Sequence, residues 1–353
     1  MPFGRPLARD STALVVLLGC ATALGPLSTD MYLPSLPGLV ALFGSDMATV
    51  QLTLSAFLAG FAVMQLVYGP LSDRFGRRPV LLAGITLYTA ASVGCAFAGS
   101  VEWLILWRFG QALGACAGVV LGRAIARDLY EGAQAARALS MMAMTLGLTP
   151  AVAPILGGYL HDWFGWQANF IAMALTGATL GVCVLFFLAE SNQHRNPAAT
   201  HPGPMLRNFA ILARHARFRG YALCVAFSYG GMFSFISASS FTLDRVFGVG
   251  PTVFGFCFVL IVFGYLVGGF IGTRFTMRFG VDAMLGLGAG CCAAGGLLML
   301  LLQGGAWMAG VQWHWFSLIG PMMLFTVGLG LTMPQGRPGR CSHFRTWPVP
   351  LRH

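Results

Sequence analysis

Long apolar runs separated by short polar turns recur along the chain, at a length that suits a bilayer. A hydrocarbon core takes about 20 mostly apolar residues per helix. Ten segments meet that requirement: Leu14–Leu33, Gln51–Gly69, Val80–Ala98, Val101–Ala124, Leu139–Leu160, Ala168–Leu188, Tyr221–Leu243, Thr252–Ile271, Ala283–Leu302 and Phe316–Met333. The pattern therefore predicts an all-α polytopic membrane protein of about ten transmembrane helices.

The polar turns orient these spans. With the N-terminus in the cytoplasm, the inner segments hold Arg5, Arg9, Arg74, Arg77, Arg78, Arg123, Arg127, Arg137, Arg195, Arg207, Arg214, Arg217, Arg219, Arg274 and Arg278, and the outer loops hold Arg245 alone. Such asymmetry is what the positive-inside rule demands. The longest inner segment is polar, basic and broken by proline, and it reads as a linker. The expected organisation is a six-helix bundle over 1–189, a cytoplasmic linker over 190–219, a second bundle of four helices over 220–336, and a basic tail over 337–353. A short echo, Arg74-Phe75-Gly76 after the second span and Arg278-Phe279-Gly280 after the eighth, fits a plan of two related halves around a central site.

Composition excludes several classes. Of the 353 residues, 57% are hydrophobic and 9% charged, whereas soluble domains carry about 25% charged residues. The net charge of +10 is accounted for by inner loops and tail, with no base-reading module, so nucleic acid is not an expected partner. The basic residues are all arginine, and the nine cysteines include no CxxC pair; neither a disulfide framework nor a metal site is indicated. The seven histidines form no HExxH, and no cofactor is expected. The first apolar run is long enough to span and reads as a helix rather than a signal peptide. An enzyme in the membrane would need acids or histidines clustered at one face, and the outer loops are short and poor in both.

Charges inside a span are costly and mark function by default. Asp30 lies about 24 Å above the inner end of the first span, and Arg108 about 10 Å below the outer end of the fourth, at 1.5 Å per residue. In a core of about 30 Å those depths nearly match, so the two are candidates to face one another. The arginine favours the charged carboxylate and desolvation opposes it, and a small change of geometry then swings the proton affinity. The bland alternatives are an outer-interface position for Asp30 and a structural bond from Arg108 to backbone carbonyls. Glycines at 110, 114, 118 and 122, and again at 264, 268 and 272, form stripes that let another backbone approach. In the fifth span, Pro150 and Pro154 remove backbone bonds and bend the helix, as a pivot or as a static kink, with Gly157 and Gly158 just beyond. Gly69 and Gly76 permit a sharp turn after the second span, where Asp73 sits among Arg74, Arg77 and Arg78 and can pair locally or approach a helix N-terminus. Tyr32, Gln51, Ser55, Tyr229 and Ser234 are candidates to meet a solute, or equally to bond between helices.

The stretch Gly69-Pro-Leu-Ser-Asp-Arg-Phe-Gly-Arg-Arg-Pro79 resembles the signature of the major facilitator superfamily, G-x-L-x-D-R-x-G-R-R. Arg108 with Gln111 and Gly114 resembles its helix-4 motif. Pro154-Ile-Leu-Gly157-Gly158 resembles its helix-5 antiporter motif, with Ala153 in place of a glycine. Asp30-Met-Tyr-Leu-Pro-Ser-Leu-Pro37 and Gln51-Leu-Thr-Leu-Ser-Ala-Phe57 resemble the Bcr/CflA branch of drug-resistance transporters. The resemblance spans residues 10 to 336. It implies a proton–drug antiporter of the bacterial inner membrane with two rocking six-helix bundles. The expected partners are protons, small lipophilic drug-like molecules and membrane lipid, with one chain as the working unit. Asp30 and Arg108 are expected to couple protons, and Gly69, Asp73, Arg74, Gly76, Arg77 and Arg78 to form a conformational switch. The alternatives are another solute transporter of the superfamily or an inactive remnant. Ten spans fall two short of the family's twelve. After Gly336 the chain turns to RPGRCSHFRTWPVPLRH, which reads as a frameshifted or truncated end. In the family the loop aspartate locks against helix 11, a partner Asp73 is expected to lack.

Overall fold

A computed structural model describes residue 7 and residues 11–193, 195–197, 214–311 and 314–332. The tail over 337–353, and the middle of the expected linker, lie outside the described residues. The elements are α1 (Thr12–Asp30), a 3-10 turn (Leu33–Ser35), α2 (Leu36–Leu42), α3 (Met47–Phe75), α4 (Arg77–Ala96), α5 (Val101–Leu129), α6 (Gly132–Phe164), α7 (Gln167–Phe187), α8 (Ala216–Arg245), α9 (Pro251–Phe279), α10 (Val281–Ala309) and α11 (Phe316–Thr332). Among the described residues no strand occurs, and nine helical stretches are long and apolar enough to cross a membrane, with Phe316–Thr332 as a shorter apolar helix. Each expected span falls on one of these.

Two local features depart from the apolar pattern. First, the helices outrun it. The 33 residues of α6 measure about 50 Å at 1.5 Å per residue, well beyond a core of about 30 Å, because polar and basic residues continue a helix as readily as apolar ones. Second, the first span does not stop at Leu33. It runs on to Leu42 through a break at Met31–Ser35. Proline explains the break: Pro34 and Pro37 have no N–H to offer the carbonyls of Asp30 and Leu33 four residues back, and each opens a new helical piece at its first turn. Asp30 therefore ends α1 inside a span of 31 residues, not at its outer end.

The described residues fall into two compact units. One lies within Met1–Met205 together with Ser239–Phe258, the other within Leu206–Ala238 and Val259–His353. The hairpin of α8 and α9 thus has its tip in the first unit.

In the first unit, glycine stripes set the spacing. Gly118 of α5 lies against the Ala21 carbonyl of α1, and Gly114 against the backbone of Gly84 and Tyr88 on α4; bare backbone at these contacts is what gives helices in lipid their attractive packing. At Gly110, in the same stripe, an added Cβ would stand 3.7 Å from Ala91 Cβ, an ordinary contact. In the second unit Gly264 and Gly268 of α9 receive the carbonyls of Met323 and Val327 on α11. Thr326 locks that contact by donating to the Ile261 carbonyl at 2.8 Å.

Candidate functional site

Arg108 is the most deeply buried cation in the first unit, with 0% of its surface exposed. It sits on α5 one turn before the glycine stripe, where close packing of α1, α4 and α5 shuts out lipid. Nη1 donates to the Ser28 carbonyl at 2.9 Å and to Gln111 Oε1 at 2.6 Å. Gln111 passes the network on to Ser92 Oγ at 2.8 Å. The guanidinium lies over the rings of Phe57 (4.4 Å), Tyr32 (4.9 Å) and Phe170 (5.9 Å). Nε and Nη2 have no hydrogen-bond partner. A desolvated cation–π contact is worth about 2 kcal/mol, so the rings offset part of a cost that two bonds on one nitrogen leave standing.

Asp30 is 5% exposed. Among the described residues the ion pairs are Arg77–Asp73 and Arg77–Asp128, so Arg108 and Asp30 are not joined in one. The arginine reaches the first span two residues earlier, at Ser28, whose hydroxyl stands 3.0 Å from that of Tyr88. Tyr32, two residues past Asp30, is buried and shares a hydrogen bond of 3.2 Å with Thr53.

The break beside Asp30 is braced by α6. Gly157 lies directly against the Met31 carbonyl, and Gly158 against the backbone of Pro251 and Thr252. Asn169 of α7 donates to Ser35 Oγ at 3.0 Å and to the Gly157 carbonyl at 3.3 Å, and His161 meets the same Ser35 Oγ at 3.0 Å. Pro150 and Pro154 sit inside α6, which is assigned as helix from Gly132 through Phe164.

The turn between α3 and α4 is tighter than its sequence suggests. Gly69 lies within α3, with open space where a Cβ would stand; Gly76 alone makes the turn, at φ +103°. The reading of Gly69 as a turn glycine is corrected, because α3 keeps its helical bonding to Phe75. Asp73 pairs with Arg77 at 2.6 Å, and Arg77 also holds Asp128 at 3.0 Å. The first turn of α4 is capped from a distance: Glu190 accepts from the Arg77 and Arg78 amides at 2.9 and 3.2 Å, where a carboxylate suits unpaired N–H groups and the helix dipole. Asn192 adds bonds to the Ser72 and Asp73 carbonyls. Arg78 reaches the Leu185 carbonyl, and Arg74 lies over Phe75 at 5.1 Å.

Comparison with known proteins adds the lineage. The family model described as Major Facilitator Superfamily matches residues 18–336. The chain belongs to that superfamily. A bicyclomycin resistance protein homolog of Haemophilus influenzae is 31% identical over 89% of this chain and 79% of its own. A chloramphenicol resistance protein of Pseudomonas aeruginosa is 31% identical over 94% of this chain and 77% of its own. In shape, the chain matches a solved bacterial homolog of the human lysosomal transporter Spinster, with a TM-score of 0.71 at 18% identity, covering 92% of this chain and 74% of that one. Sequence and shape agree on a multi-pass membrane transporter of the superfamily, related to its drug-resistance branch.

The superfamily fold leaves an open cavity of about 460 Å³ against α1 and α6, lined by Leu27, Met141, Met144, Thr145, Leu148 and Leu156 among others. None of the five residues expected to meet a solute lines it. Tyr32 is buried under Arg108; Ser55 and Ser234 are exposed and bond back to their own helices, at the Gln51 and Gly230 carbonyls. Gln51 is half-buried and Tyr229 exposed. A search for polar residues within spans passes over a wall of methionine and leucine, yet apolar lining with few polar groups is the ordinary make-up of a small-molecule site. Glu190 and Asp128 were also missed, since nothing in their local sequence indicates the turn they serve. Among the described residues, no three His, Cys, Asp or Glu side chains are grouped to hold a metal.

Proposed function

We propose that this protein exports small lipophilic, drug-like molecules in exchange for protons across the bacterial inner membrane, with its N-terminus in the cytoplasm. One observation carries the reading: a buried carboxylic acid at the break of the first span, two residues past the Ser28 carbonyl to which a buried guanidinium donates through one nitrogen while two others stay unbonded. Asp30 is the proton carrier in this scheme. A rotation of the broken segment by a fraction of a turn changes whether its carboxyl meets Arg108 or stays apart. Deprotonation is favoured with the pair formed and protonation with it open. The Met-lined cavity takes the solute, since unbranched, polarizable methionines adapt to many shapes. The names of the relatives, resistance proteins for bicyclomycin and chloramphenicol, support solutes of that class.

In the same scheme α6, with Pro150, Pro154, Gly157 and Gly158, transmits the movement of the break. The Gly76 turn with Asp73, Arg74, Arg77 and Arg78 holds one state of the inner side, and the carrier works as two bundles joined by the linker, one chain at a time, in lipid.

The test is reconstitution of the full chain in liposomes containing a pH-sensitive dye, with chloramphenicol among the added solutes. Solute-dependent proton movement is expected, and its loss in Asp30→Asn with insertion intact. Near-normal coupled transport in Asp30→Asn would remove Asp30 from the mechanism, and solute movement indifferent to a pH gradient would remove the proton.

A further inference from the structure

A second cavity, of about 190 Å³, lies in the first unit away from the Met-lined face, at the end opposite the Gly76 turn. Its walls come from three stretches far apart in sequence: Pro34 in the break with Gly38 after it, His161 at the end of α6, and Ser240, Asp244, Pro251 and Phe254 of the hairpin tip. The hairpin is held there by bare backbone. Gly158 receives Pro251, Gly255 lies against Ile155, and Thr252 donates to Asp162 at 2.5 Å.

The polar groups of this cavity are mismatched in one direction. Ser240 is 2% exposed, and its Oγ has no hydrogen-bond partner. Buried helical hydroxyls elsewhere in the chain, such as Thr22, Ser28 and Ser92, bond back to a carbonyl of their own helix. A buried hydroxyl left unbonded costs about 1–3 kcal/mol, which a ligand recovers. Asp244 takes no part in either ion pair among the described residues. His161 commits Nδ1 to Ser35, leaving its other ring nitrogen. The walls therefore present one carboxylate, one hydroxyl and one imidazole, and no arginine. The rest is proline, glycine, valine and phenylalanine.

That inventory selects the ligand. A hard divalent cation asks for about six oxygens or more, and the walls supply oxygen from two side chains. An anion meets Asp244. Water occupies a space of this size as a cluster of about six molecules, since its share of liquid volume is about 30 Å³, and an organic body of that volume displaces them. We propose that this cavity binds a small organic ammonium ion, whose N–H groups donate to the Asp244 carboxylate and Ser240 Oγ. Its carbon body rests on Pro34 and Pro251, with the Phe254 ring adding cation–π attraction. The site needs no assumption about export, because binding is read on the resting protein.

Calorimetry on the purified full chain with cyclohexylammonium chloride tests it, with cyclohexanol and sodium chloride as the other arms. Saturable binding of the ammonium ion is expected, with cyclohexanol and sodium each at least about tenfold weaker, the effect of losing one charge-assisted contact or the apolar fit. Asp244→Asn, an isosteric change at an exposed residue, is expected to weaken binding about tenfold, and Ser240→Ala by about threefold to tenfold. Gly38→Val blocks by volume instead of charge, since a Cβ there stands 3.8 Å from the His161 ring; it decides the matter if Asp244→Asn shifts the melting temperature. No saturable binding, or undiminished binding in Asp244→Asn and Gly38→Val, overturns the proposal. Equal binding of sodium makes it a metal-cation site and overturns the organic ligand.

Discussion

Gly157 faces the Met31 carbonyl so closely that no Cβ fits between them. At that point the α6 motif and the broken first span become one structure: within the break the Ser35 N–H turns to the Tyr32 carbonyl instead of that of Met31, and a missing side chain gives the Met31 carbonyl room. Gly157→Val is expected to cost about 3 kcal/mol, at the upper end for overpacking, because the neighbour is backbone and cannot swing aside. Thermal unfolding of the detergent-purified protein reads it. Gly69→Ala serves as the contrast. Its position is helical with open space around it, so a gain of up to about 1 kcal/mol is expected from helix propensity.

Arg108→Met separates stability from coupling. Methionine fills the space over Phe57 and Tyr32 and removes a buried charge with two unbonded nitrogens, which offsets the cost of about 1–3 kcal/mol of leaving Gln111 Oε1 without its donor. The expected outcome is an unchanged or raised melting temperature with solute-driven proton movement abolished. Arg108→Lys is expected not to restore it, since an ammonium group cannot lie flat over three rings while donating to Ser28 and Gln111.

Filling the Met-lined cavity tests where the solute goes. Leu148→Trp is expected to lower solute affinity about tenfold, by occupying space in a cavity of small-molecule size, without loss of folding, because Leu148 is 55% exposed. Ser234→Ala, whose hydroxyl bonds only its own helix at 2.9 Å, is expected to leave affinity unchanged. Equilibrium binding of a fluorescent lipophilic solute compares the two.

Removing the distant cap tests the inner turn. Glu190→Ala leaves the Arg77 and Arg78 amides without their carboxylate and is expected to cost about 1 kcal/mol, the ordinary value of an N-cap. Limited proteolysis at the Gly76 turn should quicken, since Glu190 ties residues 188–193 to it. Glu190→Gln, still able to accept one N–H, is expected to fall between the two.

The legible parts of the site were those with a local signature. Asp30 and Arg108 stand out because charge within an apolar run is rare. Gly76 stands out because a helix must end where its neighbour begins. A rise of 1.5 Å per residue sets Asp30 opposite Arg108 only for an unbroken first span ending near Leu33, whereas Pro34 and Pro37 break it and carry it to Leu42. The arginine then finds the Ser28 carbonyl first. Glu190 was illegible for a different reason: its partners lie 112 and 113 residues away, and a carboxylate after a span looks like any solvated turn.

What the chain's own letters determine here is the set of spans and their ancestry. Each span must bond its backbone internally in lipid, and hydrophobicity and arginine placement act residue by residue. The tertiary structure decides which groups meet. Whether Arg108 serves a carbonyl or a carboxylate, which wall of α6 is left open, and where Ser240 goes unbonded depend on distances of a few ångströms between helices. Those distances come from the packing of glycine against carbonyl across the bundle, and no order of residues along one helix contains them.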